Sequence, residues 1–274
     1  MTTKDWRSAD SVPWWVRGYL LFAALQGFGI GLTGLFSPAD MQIPLRITPL
    51  NARFVAALYV AGGVGVLWGA FSRRRAEARL FVVAFAFATT LILILTLMHW
   101  SDFMAPGLPH QPVWIFDYVS DPILGVLVIT LAGLRLPRIS RHALTPLLVA
   151  EAVVLGVLGL ALLAAPDAVA AGWPWALPPV LGQLYACFFL TFALGAAFAA
   201  GETEPRAIRG FVFSTFALMA LVLFASILHV DRFKPEPVTL VWFSAFGLGL
   251  VVFAGAIVAE RWLHRLRLAG AALR

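Results

Sequence analysis

The stretch 79-RLFVVAFAFATTLILILTLMHWSDF-103 decides the fold of this chain. No charged residue lies between Arg79 and His99, and Leu91-Ile92-Leu93-Ile94-Leu95 is apolar on every side. A helix needs about 20 apolar residues to cross a bilayer. A membrane-barrel strand would instead alternate apolar and polar residues. The stretch also recurs. Moved by 130 positions it lies on 209-RGFVFSTFALMALVLFASILHVDRF-233, with Arg on Arg, His on His and Phe on Phe.

The same register holds without a gap for 44–103 on 174–233, where Pro44 meets Pro174, Pro49 meets Pro179 and Gly65 meets Gly195. After a five-residue deletion, Pro112-Val113 answers Pro237-Val238. A repeat of this length sets architecture before any local feature does. It predicts an all-α integral membrane protein built from two tandem, parallel four-helix repeats, residues 1–137 and 138–274. An even number of helices per repeat relates the copies by a pseudo-twofold along the membrane normal.

Composition agrees. Hydrophobic residues make up 61% of the chain and charged residues 12%, against about 45–50% and about 25% in soluble domains. Eight apolar stretches are long enough to span: 14–36, 50–71, 80–99, 112–134, 145–165, 178–199, 209–229 and 237–259. Ser37-Pro38-Ala39-Asp40 is a poor cleavage site, so the first stretch reads as a retained helix rather than a signal peptide. The single cysteine, Cys187, excludes an intrachain disulfide and a cysteine metal cluster.

The net charge of +6 belongs to the loops, not to a nucleic-acid surface. The N-terminus, 72–79, 135–144, 200–209 and the C-terminus carry 16 of the 20 Lys and Arg residues. The opposite set holds only Arg46, Arg53, Arg232 and Lys234. Basic residues stay cytoplasmic. Both termini are therefore expected inside, in an inner or plasma membrane, with 37–49, 100–111, 166–177 and 230–236 outside. The basic set is 18 Arg and 2 Lys, which points to a GC-rich bacterial genome. Trp14, Trp15, Trp68 and Trp262 are expected in an inner aromatic belt, and Trp100, Trp114, Trp173 and Trp175 in an outer one. Trp173-Pro174-Trp175 reads as a rigid segment on the outer surface.

Ionisable groups within the membrane are expensive and are the first candidates for function. His99 and His229 fall on each other in the repeat, each at the end of an outward-running helix. They are candidate haem or metal ligands, or helix caps that bond the last carbonyls. Arg53 opens the second helix, while Asp117 and Asp121 are four apart on the fourth and share a face. The repeat puts Gln183, Trp242 and Phe246 at these three positions, so the charges vanish together. That pattern predicts a mutual ion-pair cluster, read either as a structural lock or as an outward-opening polar pocket bordered by His99 and His110. Asp121 precedes Pro122, which frees a carbonyl one turn back. Glu151 lies about two turns into the fifth helix and is a candidate proton site, unless Gln26, Arg138 or Arg141 reaches it. The polar groups are expected near the two faces, with the midplane nearly bare.

No zinc-binding His-Glu pattern, phosphate-binding Gly loop or Gly-x-Ser-x-Gly elbow is present, so no catalytic residue is assigned. The Gly-rich first helix (Gly27, Gly29, Gly31, Gly34), the Pro after it (Pro38) and the basic second loop make the four-helix unit similar to small four-span membrane families of the DoxX-like kind. The resemblance assigns no residue. The leading expectation is a non-catalytic protein that binds a lipophilic or small cationic ligand, or an accessory subunit of a membrane complex, with no cofactor. A small-solute or proton-coupled transporter is the alternative. A haem or metal redox protein ligated by His99 and His229 is the second. Expected partners are the lipid bilayer and another membrane protein or a second copy of the chain, not nucleic acid.

Overall fold

A computed structural model describes residues 10–134, 139–235 and 237–272, with side chains described as far as residue 259. Eight helices in it are long and apolar enough to cross a membrane. They are α1 (Trp14–Phe36), α2 (Pro49–Ala70), α3 (Arg75–Met98), α4 (Gln111–Leu131), α5 (Thr145–Ala164), α6 (Pro179–Ala200), α7 (Pro205–Ile227) and α8 (Pro237–Ala272). Short helical turns at Trp100–Phe103, Pro166–Ala171 and elsewhere lie in the connections.

Proline begins α2, α6, α7 and α8, where its missing N–H would have had no partner anyway. Two helices start earlier than hydropathy alone suggests. α3 opens at Arg75 rather than near residue 80, because Glu77 folds back and accepts the Arg73 and Arg74 amides (2.8 and 3.4 Å). α7 opens at Pro205 rather than near 209. Charged first turns are tolerated there because they lie at the membrane surface.

α2 and α6 form the centre and are the two most buried spans. α1 packs on α2 and α5 on α6. α2 also packs on α7, α3 on α6, α3 on α4, and α7 on α8. α8 has the least burial of the eight. Lipid is as apolar as leucine, so helices associate by close approach of small residues. At Gly31 an added Cβ would stand 2.5 Å from Val60 Cγ2 and 3.1 Å from the Ala56 carbonyl oxygen. Gly159 meets Leu190 in the same way on α6.

Polar contacts pin both ends of the bundle. At the basic end, Glu202 is buried and accepts Arg79 through both carboxylate oxygens, with Nη2 at 2.6 and 2.9 Å, as well as the Thr203 and Glu204 amides. Arg74 pairs with Glu204. At the other end, buried Asn51 accepts the Trp175 indole (2.6 Å) and the Tyr185 hydroxyl (2.8 Å) on Oδ1, and its amide donates to the Ala176 carbonyl.

The Asn51 contacts correct the belt expectation. Trp173 and Trp175 do not lie on the surface. They are buried against Phe54, Tyr185 and Trp242. The Trp-Pro-Trp segment turns inward because Asn51 gives the Trp175 N–H an acceptor. Trp114 is buried as well, stacked on Phe103 with its indole donating to Thr96 Oγ1 (3.0 Å). Trp14 and Trp100 are exposed as a belt requires. The side chain of Trp262 lies outside the described residues.

Gly210 tests this close packing. An added Cβ would sit 2.3 Å from Trp68 Cδ1 and 2.7 Å from Phe81 Cζ. Trp68 cannot retreat freely, since its indole donates to the Arg206 carbonyl and its ring stacks on Phe213. Overpacking costs about 1–3 kcal/mol, against about 1 kcal/mol gained in helix propensity. Gly210→Ala should melt several degrees below wild type in nanodiscs. Gly29→Ala, which meets open space, should melt at or above it.

Candidate functional site

Arg53 does not meet the aspartates. Its Nε donates to the Leu35 carbonyl (3.0 Å) and its Nη1 to His229 Nε2 (2.6 Å). Leu35 lies in the last turn of α1, whose terminal carbonyls have no intrahelical donors. Those carbonyls, on the helix packed directly against α2, take the guanidinium. This corrects the expected Arg53–Asp117 ion pair. His229 follows α7, so the contact also ties α2 to the second half of the chain.

The other imidazoles are dispersed. His99 Nδ1 faces Asp102 (3.4 Å). His110 is exposed at the start of α4, with a left-handed backbone (φ 64°). His99 and His229 therefore have separate partners. Among the described residues no three His, Cys, Asp or Glu side chains gather as a metal group would require.

Asp117 and Asp121 meet a different set of residues. Asp121 lies halfway along α4 and is 2% exposed. It faces Tyr19 and Gln26 of α1 and Tyr59 of α2. The Tyr19 hydroxyl donates to the Asp121 backbone carbonyl (3.4 Å). The hydroxyls of Tyr59 and Tyr118 are hydrogen-bonded to each other. The Gln26 carboxamide lies beside both carboxylates. Yet Asp121 Oδ1 and both polar atoms of Gln26 are buried and find no hydrogen-bonding partner among the described residues. Pro122 has no N–H to give to the Tyr118 carbonyl one turn back. No basic side chain among the described residues stands against either aspartate.

Tyr59 and Tyr118 also wall an apolar chamber of about 90 Å³ between the halves. Ala23 and Gly27 of α1, Phe85 and Thr89 of α3, Phe188 and Phe192 of α6 and Ser214 of α7 help to line it. Drug-sized sites run to about 300–1,000 Å³, so this one suits a compact group.

Glu151 is another buried carboxylate. Thr215 Oγ1 of α7 donates to its Oε1 (2.9 Å), and its Oε2 has no partner among the described residues. Gln26 belongs to the Asp117–Asp121 cluster, Arg141 is exposed and Arg138 lies outside the described residues. Glu151 points across the bundle to α7, away from the loop that carries the arginines.

The midplane is thus not bare, and the polar groups there correct that expectation. The sequence held a usable signal. The chain has four tyrosines, and all lie inside spans, whereas tyrosine in membrane proteins favours the interfaces. Three of the four converge on this cluster. Hydropathy scans weigh Tyr lightly, so the signal is easily passed over.

No protein-family model, no curated protein and no solved structure matches the chain.

Burial and the nearby charge of Arg53 hold His229 below the ordinary imidazole pKa. The unfolded chain, with a value near about 6.5, then takes up this proton before the folded one does. Stability from the Arg53–His229 contact is fully present above that value and is lost as pH falls from it through the lower value of the folded state. Between about pH 8 and about pH 5, the melting temperature of wild type should fall more steeply than that of His229→Gln. Equal slopes would contradict the assignment.

Proposed function

We propose that the protein is a non-catalytic membrane binding protein, with its site at mid-bilayer rather than at the outer surface. It holds a small lipophilic or cationic molecule between Tyr59, Tyr118, Asp117, Asp121 and Gln26, with the apolar part in the adjoining chamber. One observation carries the reading. Asp121 Oδ1 and the Gln26 carboxamide are buried without hydrogen-bonding partners among the described residues, near Tyr59 and Tyr118, which line the chamber. Such groups cost about 1–3 kcal/mol each when left unsatisfied, and a bound ligand would satisfy them.

The tandem repeat belongs to the same proposal, with halves 1–137 and 138–274 related by a pseudo-twofold. Several contacts support it. α1 packs on α2 as α5 does on α6, and α2 on α7 as α6 does on α3. Arg74 pairs with Glu204, its own counterpart 130 positions on, as expected near a twofold axis. Arg53 and Gln183, counterparts in the register, donate to the Leu35 and Leu163 carbonyls at the ends of the preceding helices. The counterparts of Tyr59, Asp117 and Asp121 are Phe189, Trp242 and Phe246. Trp242 and Phe246 pack ring against ring there. The second copy fills with aromatic carbon where the first keeps a pocket. The excess of Arg at one end of the bundle supports cytoplasmic termini. The exposed apolar surface of α8 suits lipid, a second copy or a membrane partner.

Proton-coupled transport is the second reading, favoured by Glu151. It places a buried, half-satisfied carboxylate in the other half of the bundle. Solute uptake into proteoliposomes that stops with Glu151→Gln would establish it.

Native mass spectrometry after mild extraction tests the binding reading. Wild type should carry a stoichiometric small-molecule adduct, or gain one from added small amphiphiles. Asp121→Asn and Tyr118→Phe should lose most of it. A wild-type protein that takes up no such molecule would overturn the reading.

A further inference from the structure

We propose that the occupant of the mid-bilayer pocket is a lipophilic ammonium ion, with its charged head between Asp117, Asp121 and Gln26 and a short apolar tail in the chamber. This rests on the binding reading above and names the class of ligand.

The argument is one of charge and hydrogen-bond balance. Asp117 and Asp121 are four residues apart on one helix, and no basic side chain among the described residues answers them. Arg53, the nearest candidate in the sequence, is engaged by the Leu35 carbonyl and His229. Charged groups in the bilayer interior are retained when they are paired or line a path. The missing counter-charge therefore comes from outside the chain.

Among the described residues Asp121 Oδ1 and Gln26 Oε1 have no donor, and Gln26 Nε2 has no acceptor. The hydroxyls of Tyr59 and Tyr118 are engaged with each other. A carboxylate or phosphate ligand would add negative charge where it is already in excess. An ammonium group brings N–H donors and the opposite charge. The walls suit it, since Tyr59, Tyr118 and Phe85 are among the lining residues and cations are held over aromatic faces. The lining beyond is carbon, which suits an alkyl tail rather than a hydrated inorganic ion. α1 and α4, which carry Gln26 and the aspartates, meet over only a short stretch.

Paired probes of equal tail length test this in zwitterionic nanodiscs, using n-butylammonium and 1-butanol with the thermal shift of the whole protein as readout. n-Butylammonium should stabilise wild type saturably and at least about tenfold more tightly than 1-butanol, as expected for a charge-assisted contact. Asp121→Asn should bring the two probes level. Acidification, which neutralises the carboxylates, should weaken the ammonium and leave the alcohol unchanged. Equal binding of the two probes to wild type would overturn the inference while leaving the pocket itself standing. Equal protection by sodium or potassium at the same ionic strength would also overturn it, in favour of an inorganic ion. Binding of neither probe would remove the pocket reading and the inference together. The wild-type comparison needs no variant to fold. Tyr118→Phe, which keeps both carboxylates, should retain the preference for ammonium.

Discussion

A bilayer core has no water to solvate polar groups, and that constraint organises this structure. Each polar side chain placed inside must find a protein partner or remain unsatisfied. The two pins between the halves answer it directly. Glu202 is wrapped by Arg79 and two amides at the basic end, and Asn51 by Trp175, Tyr185 and the Ala176 carbonyl at the other. Such contacts add little net stability over apolar packing. Breaking one by removing a single partner costs about 3–5 kcal/mol for the ion pair and about 1–3 kcal/mol for the neutral Asn51 cluster, because a buried group is left alone. They therefore fix which helices meet and in what register. Small residues on α2 and α6 then allow the backbones to close.

Against that background the exceptions stand out. Asp121, Gln26 and Glu151 each keep at least one buried polar atom without a partner. All three lie within spans, and two of them share a cluster with three of the chain's four tyrosines. Trp173 Nε1, Gln183 Oε1 and Arg206 Nε, nearer the ends, also lack a hydrogen-bonding partner among the described residues, but they stand singly. The proposed pocket follows from the clustering of Asp121 and Gln26 more than from any motif.

The two stretches that match in the 130-residue register also diverge in an informative way. Where the first keeps Tyr59, Asp117 and Asp121, the second has Phe189, Trp242 and Phe246. The Trp242 indole donates to Ser226 (3.0 Å), and the Trp114 indole to Thr96 (3.0 Å), the residue 130 positions earlier. The same anchoring hydroxyl is used in both halves, but the indole reaches it from a different turn of the last helix.

Hydropathy, proline placement and the 130-residue register were enough, by themselves, to determine an eight-helix membrane bundle and the candidate carboxylates. These are local or periodic properties, and they survive in one dimension. The partners of each charge were decided by tertiary structure. Arg53 goes to the Leu35 carbonyl because α1, not α4, packs against its face of α2, and Trp175 turns inward because Asn51 accepts its N–H. Asp121 meets Gln26 and three tyrosines because α1, α2 and α4 cross at one depth. Helix depth and facing depend on which backbones approach closely, and a linear pattern does not encode that.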